Sequence, residues 1–291
     1  MGAMSERLCL MQVHAHPDDE ASKGSGTTAK YAAEGVRNVL VTCTGGEAGD
    51  ILNPAADTPE VRADLPAVRL RELDESVRIL GYDVLHLLGY RDSGMPETDE
   101  NKRPDNFWNA PMDESVGKLV AIVRQEKPQV IIAYDDDHSF YPHPDHIRAH
   151  EIAVTAFEAA GVAERFPDAG PPWTPKKLYY TGWTRRRIEA LNDAFAGLDV
   201  ESPFAEFLKE MPGDSDHLFT TMIDVGDFLD KRRESLLAHR TQIDPESFWM
   251  ALPDETLREI WPWEEYILAR TLVDNGLNPG EIEGDLFAGL R

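Results

Sequence analysis

The chain has 291 residues, of which 42% are hydrophobic, and this is enough to bury one large core or two modest ones. Acidic residues outnumber basic residues 53 to 29, so the formal net charge is −24. A surface with this charge repels phosphate backbones and anionic lipid surfaces, which excludes nucleic acids and membrane surfaces as the expected partners. The charge does not identify a substrate, because strongly acidic surfaces are most often simply solvated.

The cysteines and the apolar runs indicate the compartment. Cys9 and Cys43 lie in apolar segments that we predict to be neighbouring core strands, and we expect both to be free, buried thiols. So few cysteines suit a reducing compartment. The first residues lack a signal-peptide pattern, and no apolar stretch approaches the roughly 18 residues that span a bilayer. The sequence therefore predicts a cytoplasmic protein.

Strand-like and helical patterns alternate through the first two thirds of the chain. The four predicted strands are short apolar segments, at residues 8–14, 38–44, 83–89 and 129–136. Each is followed or preceded by a helical pattern, at residues 20–34, 65–80, 113–128 and 147–160. This alternation predicts an α/β fold with a mostly parallel sheet that helices cover on both faces. In such folds functional residues lie in loops just beyond the carboxyl ends of the strands.

The pattern is less regular from about Lys176 onward. We predict strands at 176–183 and 217–225, and helices at 184–196, 202–210, 227–239 and 263–275. The expected organisation is one compact unit: a core at 1–183, and an α/β extension at 184–291 that packs on the core and shapes a pocket. The extension contains Trp249, Trp261 and Trp263, for which buried packing and a wall over a pocket are both open interpretations.

Two similar motifs follow the first and the fourth predicted strands. HPDDE begins at His16, and HPDH spans residues 143–146. Proline is favoured at the first helical position and aspartates suit the positive end of a helix, so each motif predicts a strand-to-helix corner. A single corner of this kind would more often be a helix cap than a site. Two corners at one sheet edge favour a site, because capping does not require histidine.

The motif residues include a complete set of metal ligands. Two imidazoles and one carboxylate form a typical open Zn²⁺ shell, which leaves a position for water or substrate. We assign His16, Asp19 and His146 as ligands of one Zn²⁺ per chain, although the same donor set also suits Fe²⁺ or Co²⁺. Asp18 is next to the ligand Asp19 and is the candidate general base for an attacking water.

Other residues near the motifs could supply the rest of a hydrolytic site. His143 and Tyr141 are candidates for stabilising the oxyanion and protonating a leaving amine. We expect Asp145 to orient a ligand histidine. His14 lies at a strand end, where a structural role is at least as readily explained as a functional one.

Two other classes of function stay open at this point. A metal-dependent phosphoesterase would often hold two metals about 3.5–4 Å apart, whereas the ligands assigned above suit one. A non-catalytic sugar-binding protein would retain its function when His146 is replaced by alanine.

The paired motifs HAHPDDE and HPDH resemble those of the LmbE-like, or PIG-L-like, zinc-dependent N-deacetylases and amidases. The resemblance covers most of the chain. It implies a Rossmann-like core, hydrolysis of amides on glucosamine-containing substrates, and the same metal ligands and general base as assigned above. It also links Tyr141 to the oxyanion and His143 to transition-state charge.

Further stretches, among them TGGEAGDILNPAAD, RDSGMP and HRTQIDP, are similar to the branch of this family that hydrolyses mycothiol S-conjugates. The similarity implies a zinc amidase that releases a mercapturic acid and glucosaminyl-inositol, with deacetylation of an N-acetylglucosaminide as the alternative. It implies that a small-molecule thiol–sugar conjugate is bound by Lys23, Glu47, Arg69 and Asp92. Without the resemblance, Arg69 would be interpreted as a helix-surface residue and Asp92 as a turn residue.

The chain departs from the family pattern at residues 135–141, DDDHSFY, where relatives tend to have a glycine-rich turn. The sequence predicts no particular oligomeric state.

Overall fold

The computed structural model describes residues 7–138, 141–198, 202–211, 213, 215–278 and 280–291. These residues contain seven strands and eleven α-helices, joined by loops and short 3₁₀ turns. The strands are β1 Cys9–His14, β2 Arg37–Thr44, β3 Val84–Tyr90, β4 Val130–Tyr134, β5 Lys177–Gly182, β6 Thr221–Asp224 and β7 Trp263–Thr271. The helices are α1 Asp19–Ser22, α2 Ser25–Ala33, α3 Pro59–Ala63, α4 Leu65–Leu80, α5 Met112–Glu126, α6 Pro144–Ala159, α7 Arg185–Ala196, α8 Phe204–Glu210, α9 Leu229–Ala238, α10 Phe248–Ala251 and α11 Asp254–Ile260.

The seven strands form one sheet in the order β3-β2-β1-β4-β5-β7-β6. The first five strands in that order run parallel, and β7 is antiparallel to both of its neighbours. β1 and β4 pair directly, with Leu10 opposite Val130. The strand order reverses between these two strands, and in open α/β sheets ligands bind at the carboxyl ends of the strands beside such a point. Both sequence motifs follow these strands.

Hydrophobic cores cover both faces of the sheet. Every residue of β1 is buried, and its successive side chains point alternately to the two faces of the sheet. Met11 packs in a cluster with side chains of α5 and α6, whereas Leu10 packs in a cluster with Tyr31 of α2 and Leu229 of α9. The predicted fold class, a mostly parallel sheet with helices on both faces, is therefore confirmed. Cys9 and Cys43 are buried and free, as predicted.

The helix predicted at 263–275 is wrong, because that segment contains β7. Pairing with β5 on one side and β6 on the other satisfies the backbone hydrogen-bonding groups of this segment. Such tertiary pairing overrides the local preference of the sequence for helix. The two adjacent acids that resemble a helix surface are buried and paired. Glu264 accepts two backbone N–H groups at the start of α2, and Glu265 forms an ion pair with Arg187.

Two other helices differ from their predicted bounds at the corners that matter for function. The pattern at 20–34 is divided into α1 and α2 by Gly24, which has a φ of 85°. A Cβ at this glycine would lie 3.1 Å from Gln12 Oε1 and 3.2 Å from the Tyr266 hydroxyl, so the break fits only glycine closely. Helix α6 begins at Pro144 rather than at residue 147, because proline suits its first turn.

The C-terminal part of the chain continues the sheet of the N-terminal part, since β6 and β7 extend it beyond β5. The predicted division into a core at 1–183 and an extension at 184–291 stays a prediction. No α-helix among the described residues is both long enough and apolar enough to span a bilayer.

Candidate active site

The two motif corners lie side by side at the carboxyl edge of β1 and β4. At the β4 corner, His143 precedes the first turn of α6, and its Nδ1 accepts the backbone N–H of Asp145 at 3.2 Å. At the β1 corner, Asp18 precedes α1. Capping and site formation are therefore not alternatives at HPDH, because the same histidine caps the helix and faces the cavity described below.

The three predicted metal ligands lie together. His16 Nδ1 is 3.5 Å from Asp19 Oδ2, and His146 Nε2 is 3.5 Å from Asp19 Oδ1. One ligand atom from each of the three residues lies within 4.8 Å of the other two. Bonds of about 2.0–2.2 Å in tetrahedral geometry separate neighbouring ligand atoms by about 3.4 Å. Each histidine lies at close to this distance from one oxygen of Asp19, so the donor set and its spacing are compatible with a zinc ion.

The charges around these residues favour a cation. Despite burial, the carboxylates of Asp145, Asp19 and Asp92 raise the pKa of His16 to about 10. Burial opposes ionisation of Asp19 as well, but Lys23 and the nearby histidines hold its pKa well below the ordinary value. Burial lowers the pKa of His146 well below its ordinary value, which keeps this imidazole neutral and able to bind a metal. At His16 a metal would take the place of the proton that the carboxylates hold.

A second group of potential ligands overlaps the first. His16, Asp92, His143 and Asp145 also bring one ligand atom each within 4.8 Å of the others. Asp145, however, is completely buried and does not line the cavity, and both of its oxygens bind Ser93. The first group is the better candidate because all three of its members line the cavity.

Residues behind the ligands hold them in place. Asp145 Oδ2 lies 3.2 Å from His16 Nε2, an arrangement that leaves Nδ1 of the same ring for a metal. The Tyr134 hydroxyl donates to Asp19 Oδ2 at 2.7 Å, and its ring stacks on His146 at 4.3 Å between centroids. The sequence analysis missed Tyr134. Its signal is its place as the last residue of β4, since side chains at strand ends border the site.

Asp18, the candidate base, has a strained backbone. Its φ is 108°, a left-handed value that is rare for a residue with a Cβ and that costs about 1–3 kcal/mol. Its carboxylate lines the cavity, and Arg69 Nη2 donates to its Oδ2 at 2.9 Å. Burial raises the pKa of Asp18 although Arg69 opposes the shift. A raised pKa strengthens a carboxylate as a proton acceptor.

Arg69 holds the Asp18 corner against the loop after β2. It is only 3% exposed, so the helix-surface interpretation is wrong. Its guanidinium donates to the carbonyls of Pro17 at 2.6 Å and Gly46 at 2.7 Å. A Cβ at Gly46 would lie 2.3 Å from Arg69 Nη1, so the arginine can approach only because this position is glycine.

A buried network that the sequence analysis missed lies behind Asp18. Glu20 Oε2 accepts the backbone N–H of Asp18 at 3.0 Å, while its Oε1 binds Ser76 and His239. The contacts of Glu20 with Ser76 and His239 are buried, and its contact with Asp18 is partly buried. His239 lies in the HRTQIDP stretch, 219 positions after Glu20 in the chain. Neither the HPDDE motif nor the HRTQIDP stretch alone indicates that these two residues meet.

Tyr141 and His143 stand at the open side of the site. Tyr141 is 54% exposed, and its ring lies edge-on to His146 at 5.1 Å. Partial burial and the neighbouring carboxylates raise the pKa of Tyr141 to about 12, so its hydroxyl keeps its proton. Burial, with His16 nearby, lowers the pKa of His143. Because Nδ1 of His143 accepts a backbone N–H, the proton of the neutral ring is on Nε2.

A cavity of about 370 Å³ opens over these groups. Of the four residues that the resemblance links to the substrate, Lys23, Arg69 and Asp92 line it, and Glu47 does not. Glu47 Oε2 instead accepts the backbone N–H of Asp92 at 2.9 Å. Lys23 Nζ lies 2.7 Å from Asp19 Oδ1. The C-terminal part of the chain contributes further lining residues: Leu236, Gln242, Ile243 and Trp249.

Comparison with known proteins identifies the family. Residues 11–157 match the model of the PIG-L family, described as GlcNAc-PI de-N-acetylase. Mycothiol S-conjugate amidase of Streptomyces coelicolor is 44% identical over 296 aligned positions that cover 99% of each chain. The chain belongs to the PIG-L family. The family resemblance inferred from the paired motifs is thus confirmed.

Further known proteins are similar to this chain in sequence or in fold. The 1D-myo-inositol 2-acetamido-2-deoxy-alpha-D-glucopyranoside deacetylase of Streptomyces avermitilis is 39% identical over 97% of each chain. Among solved structures, the N,N'-diacetylchitobiose deacetylase of Pyrococcus horikoshii has a TM-score of 0.62 at 19% identity, covering 89% of this chain and 82% of that chain. A conserved protein of Thermus thermophilus has a TM-score of 0.59 at 23% identity, covering 94% and 99%. These two structures share the fold.

Proposed function

We propose that this chain is a metal-dependent amidase that hydrolyses mycothiol S-conjugates to a mercapturic acid and glucosaminyl-inositol. The observation that carries the proposal is the 44% identity to a mycothiol S-conjugate amidase over nearly the full length of both chains. The site supports it, because a metal-ligand set and a carboxylate with a raised pKa line one cavity.

His16, Asp19 and His146 would hold the metal, which we propose to be Zn²⁺. A bound zinc ion lowers the pKa of water to about 7 and polarises a carbonyl. The buried surroundings of Asp19 and His16 keep both side chains fixed toward the cavity, since each is also bound from behind. Exact placement of this kind is what a catalytic metal site requires of its protein.

Asp18 takes the proton of the attacking water and passes it to the leaving amine. The strained corner and the Arg69 hydrogen bond fix the direction of its carboxylate. The Tyr141 hydroxyl and His143 Nε2–H, which line the same cavity as the ligands, donate to the developing oxyanion. Arg69 and Asp92, which line the same cavity, bind the sugar or inositol hydroxyls.

Deacetylation of N-acetylglucosaminyl-inositol is the second candidate. It is favoured by the 39% identity to a deacetylase of that substrate over 97% of both chains. The same base and ligands would serve either reaction, because both are hydrolyses of an amide on glucosamine.

A competition assay separates the two candidates. The purified protein, with its metal content measured on the same sample, is incubated with a mycothiol S-conjugate and with N-acetylglucosaminyl-inositol. We expect release of the N-acetylcysteine S-conjugate to be the faster reaction, with one metal ion per chain. Acetate release while the conjugates stay intact would instead establish the deacetylase. Two metals per chain with hydrolysis of phosphoesters would overturn both.

A further inference from the structure

A second cavity of about 600 Å³ adjoins the cavity of about 370 Å³ that contains Asp18 and Arg69. Lys23, Tyr141 and His146 line both cavities. We call the smaller one the polar cavity and the larger one the aromatic cavity. Because a proposed metal ligand stands between them, a substrate whose scissile bond lies at His146 can extend into both.

The two cavities have different walls. The polar cavity is lined by charged and amide side chains such as Asp18, Arg69, Asp92 and Gln242, which suit hydroxyl groups. Large apolar side chains make up much of the wall of the aromatic cavity. They come from β5 and the residue after it, from β7, and from α8 and its C-terminal side: Tyr180, Trp183, Ile267, Phe207, Met211 and Phe219. Such walls bind apolar groups and exclude water.

The aromatic cavity is too large for a small acyl group. Ligand sites that enclose drug-sized molecules have volumes of about 300–1,000 Å³, and this cavity is in that range. An acetyl group would fill only a small part of it and would leave its apolar walls wet. The volume therefore favours a substrate with a large acyl group.

Acidic side chains outnumber basic ones among the residues that line the aromatic cavity. Asp135, Asp136, Asp137 and Glu210 contribute carboxylates, whereas the cations that line it are Lys23 and Arg270. Lys23 is already paired with Asp19 of the metal-ligand set. Four carboxylates against two cations give the lining a net negative formal charge, and such a lining disfavours anionic ligands.

We propose that the aromatic cavity binds the acyl side of the substrate, with the S-substituent against its aromatic wall, and that it selects aromatic S-substituents that are neutral or cationic over anionic ones. This inference rests on the proposed amidase function. The glucosaminyl-inositol side then occupies the polar cavity, and the amide lies between the cavities beside Tyr141 and His146.

Four conjugates that differ only in the S-substituent test the inference with the metal-loaded full chain. The substituents are methyl, benzyl, 4-(aminomethyl)benzyl and 4-carboxybenzyl. We expect kcat/KM for benzyl to exceed that for methyl by about tenfold or more, which is what added apolar contact in a pocket provides. The aminomethyl compound should stay within a few-fold of benzyl, and the carboxylate compound should be about tenfold slower than benzyl.

Substitutions of residues that line the aromatic cavity test whether the preference among S-substituents arises there. Ala269 lines the aromatic cavity, and Ala269→Phe should reduce kcat/KM for the benzyl conjugate about tenfold more than for the methyl conjugate. Leu218→Ala should lower the benzyl-to-methyl ratio. The matched control is Leu272→Ala, because Leu218 and Leu272 are 49% and 59% exposed but only Leu218 lines the cavity. Asp136→Asn should speed the carboxylate compound, and Asp230→Asn, on α9, should not.

The outcomes separate the inference from the function. Hydrolysis of all four conjugates at equal kcat/KM, or an Ala269→Phe variant that slows the methyl and benzyl conjugates equally, would overturn the inference and leave the amidase function standing. If no conjugate is hydrolysed while N-acetylglucosaminyl-inositol loses acetate, the proposed function fails and this inference fails with it.

Discussion

The corner after β1 and the corner after β4 have similar sequences but different backbones. At the β4 corner, Pro144 and His143 start a regular helix, and no left-handed residue interrupts residues 141–146. At the β1 corner, Asp18 has a φ of 108° and is held by Arg69 and by Glu20. The proposed base is at the strained corner, and the proposed oxyanion donors are at the relaxed one.

The two corners use similar sequences for different purposes. Strain persists only where surrounding contacts over-determine the backbone, and the buried Glu20 and Arg69 provide those contacts. A relaxed helix start needs no such support. We therefore expect substitution of Asp18 or of its support Glu20 to reduce kcat, and substitution of Asp145, which lies behind the ligand His16, to weaken metal binding.

The largest effect is expected from Asp18→Asn. Asparagine tolerates left-handed backbone, so the fold should be retained, but it cannot accept the proton. The loss in kcat should be about 10²–10⁴-fold, the usual contribution of a general base. Kinetics should be measured together with zinc content, which should not change. A variant that retains activity within a few-fold of the parent would remove Asp18 from the role of base.

Tyr141→Phe tests the relaxed corner. Loss of one oxyanion donor typically costs about 10²–10³-fold in kcat, and the ring that contacts His146 is retained. Tyr180→Phe is not a suitable control because Tyr180 lines the aromatic cavity, whereas Tyr90→Phe removes a hydroxyl that binds Glu114 away from the site. Equal kcat values for both variants would contradict an oxyanion role.

Asp145→Asn tests how the ligands are held. Because Asp145 accepts from His16 Nε2 and from Ser93, its replacement should weaken zinc affinity by about 10–100-fold. Affinity is measured by competition with a chelator of known strength. With saturating zinc, most of the activity should return. An unchanged affinity would show that Asp145 does not position the ligand.

Glu20→Gln is expected to have the smallest effect of the four. The amide removes the negative charge that faces His239 and disturbs the hold on the Asp18 backbone, so kcat should fall about tenfold with KM nearly unchanged. The control is Glu75→Gln, which breaks an exposed ion pair with Arg240. A fall in thermal stability without a fall in kcat would give Glu20 a structural role only.

Local signals were sufficient to predict much of the fold and part of the site. Each motif follows shortly after an apolar strand in the sequence, HPDDE after β1 and HPDH after β4. The two strands and the candidate ligands could therefore be recognised directly. β7 could not, because its acids become compatible with a strand only when Arg187 and the start of α2 pair with them. Tyr134 and His239 reach Asp19 and Glu20 across 115 and 219 positions, and a single sequence contains no signal of such contacts.

Anomalous diffraction at the zinc edge, from crystals of the zinc-loaded protein, would show where the metal binds. We predict one ion per chain, coordinated by His16 Nδ1, an Asp19 oxygen and His146 Nε2, and loss of its signal in His146→Ala. An ion coordinated instead by the alternative group that contains Asp92 and Asp145, or a pair of ions, would exclude the proposed metal site.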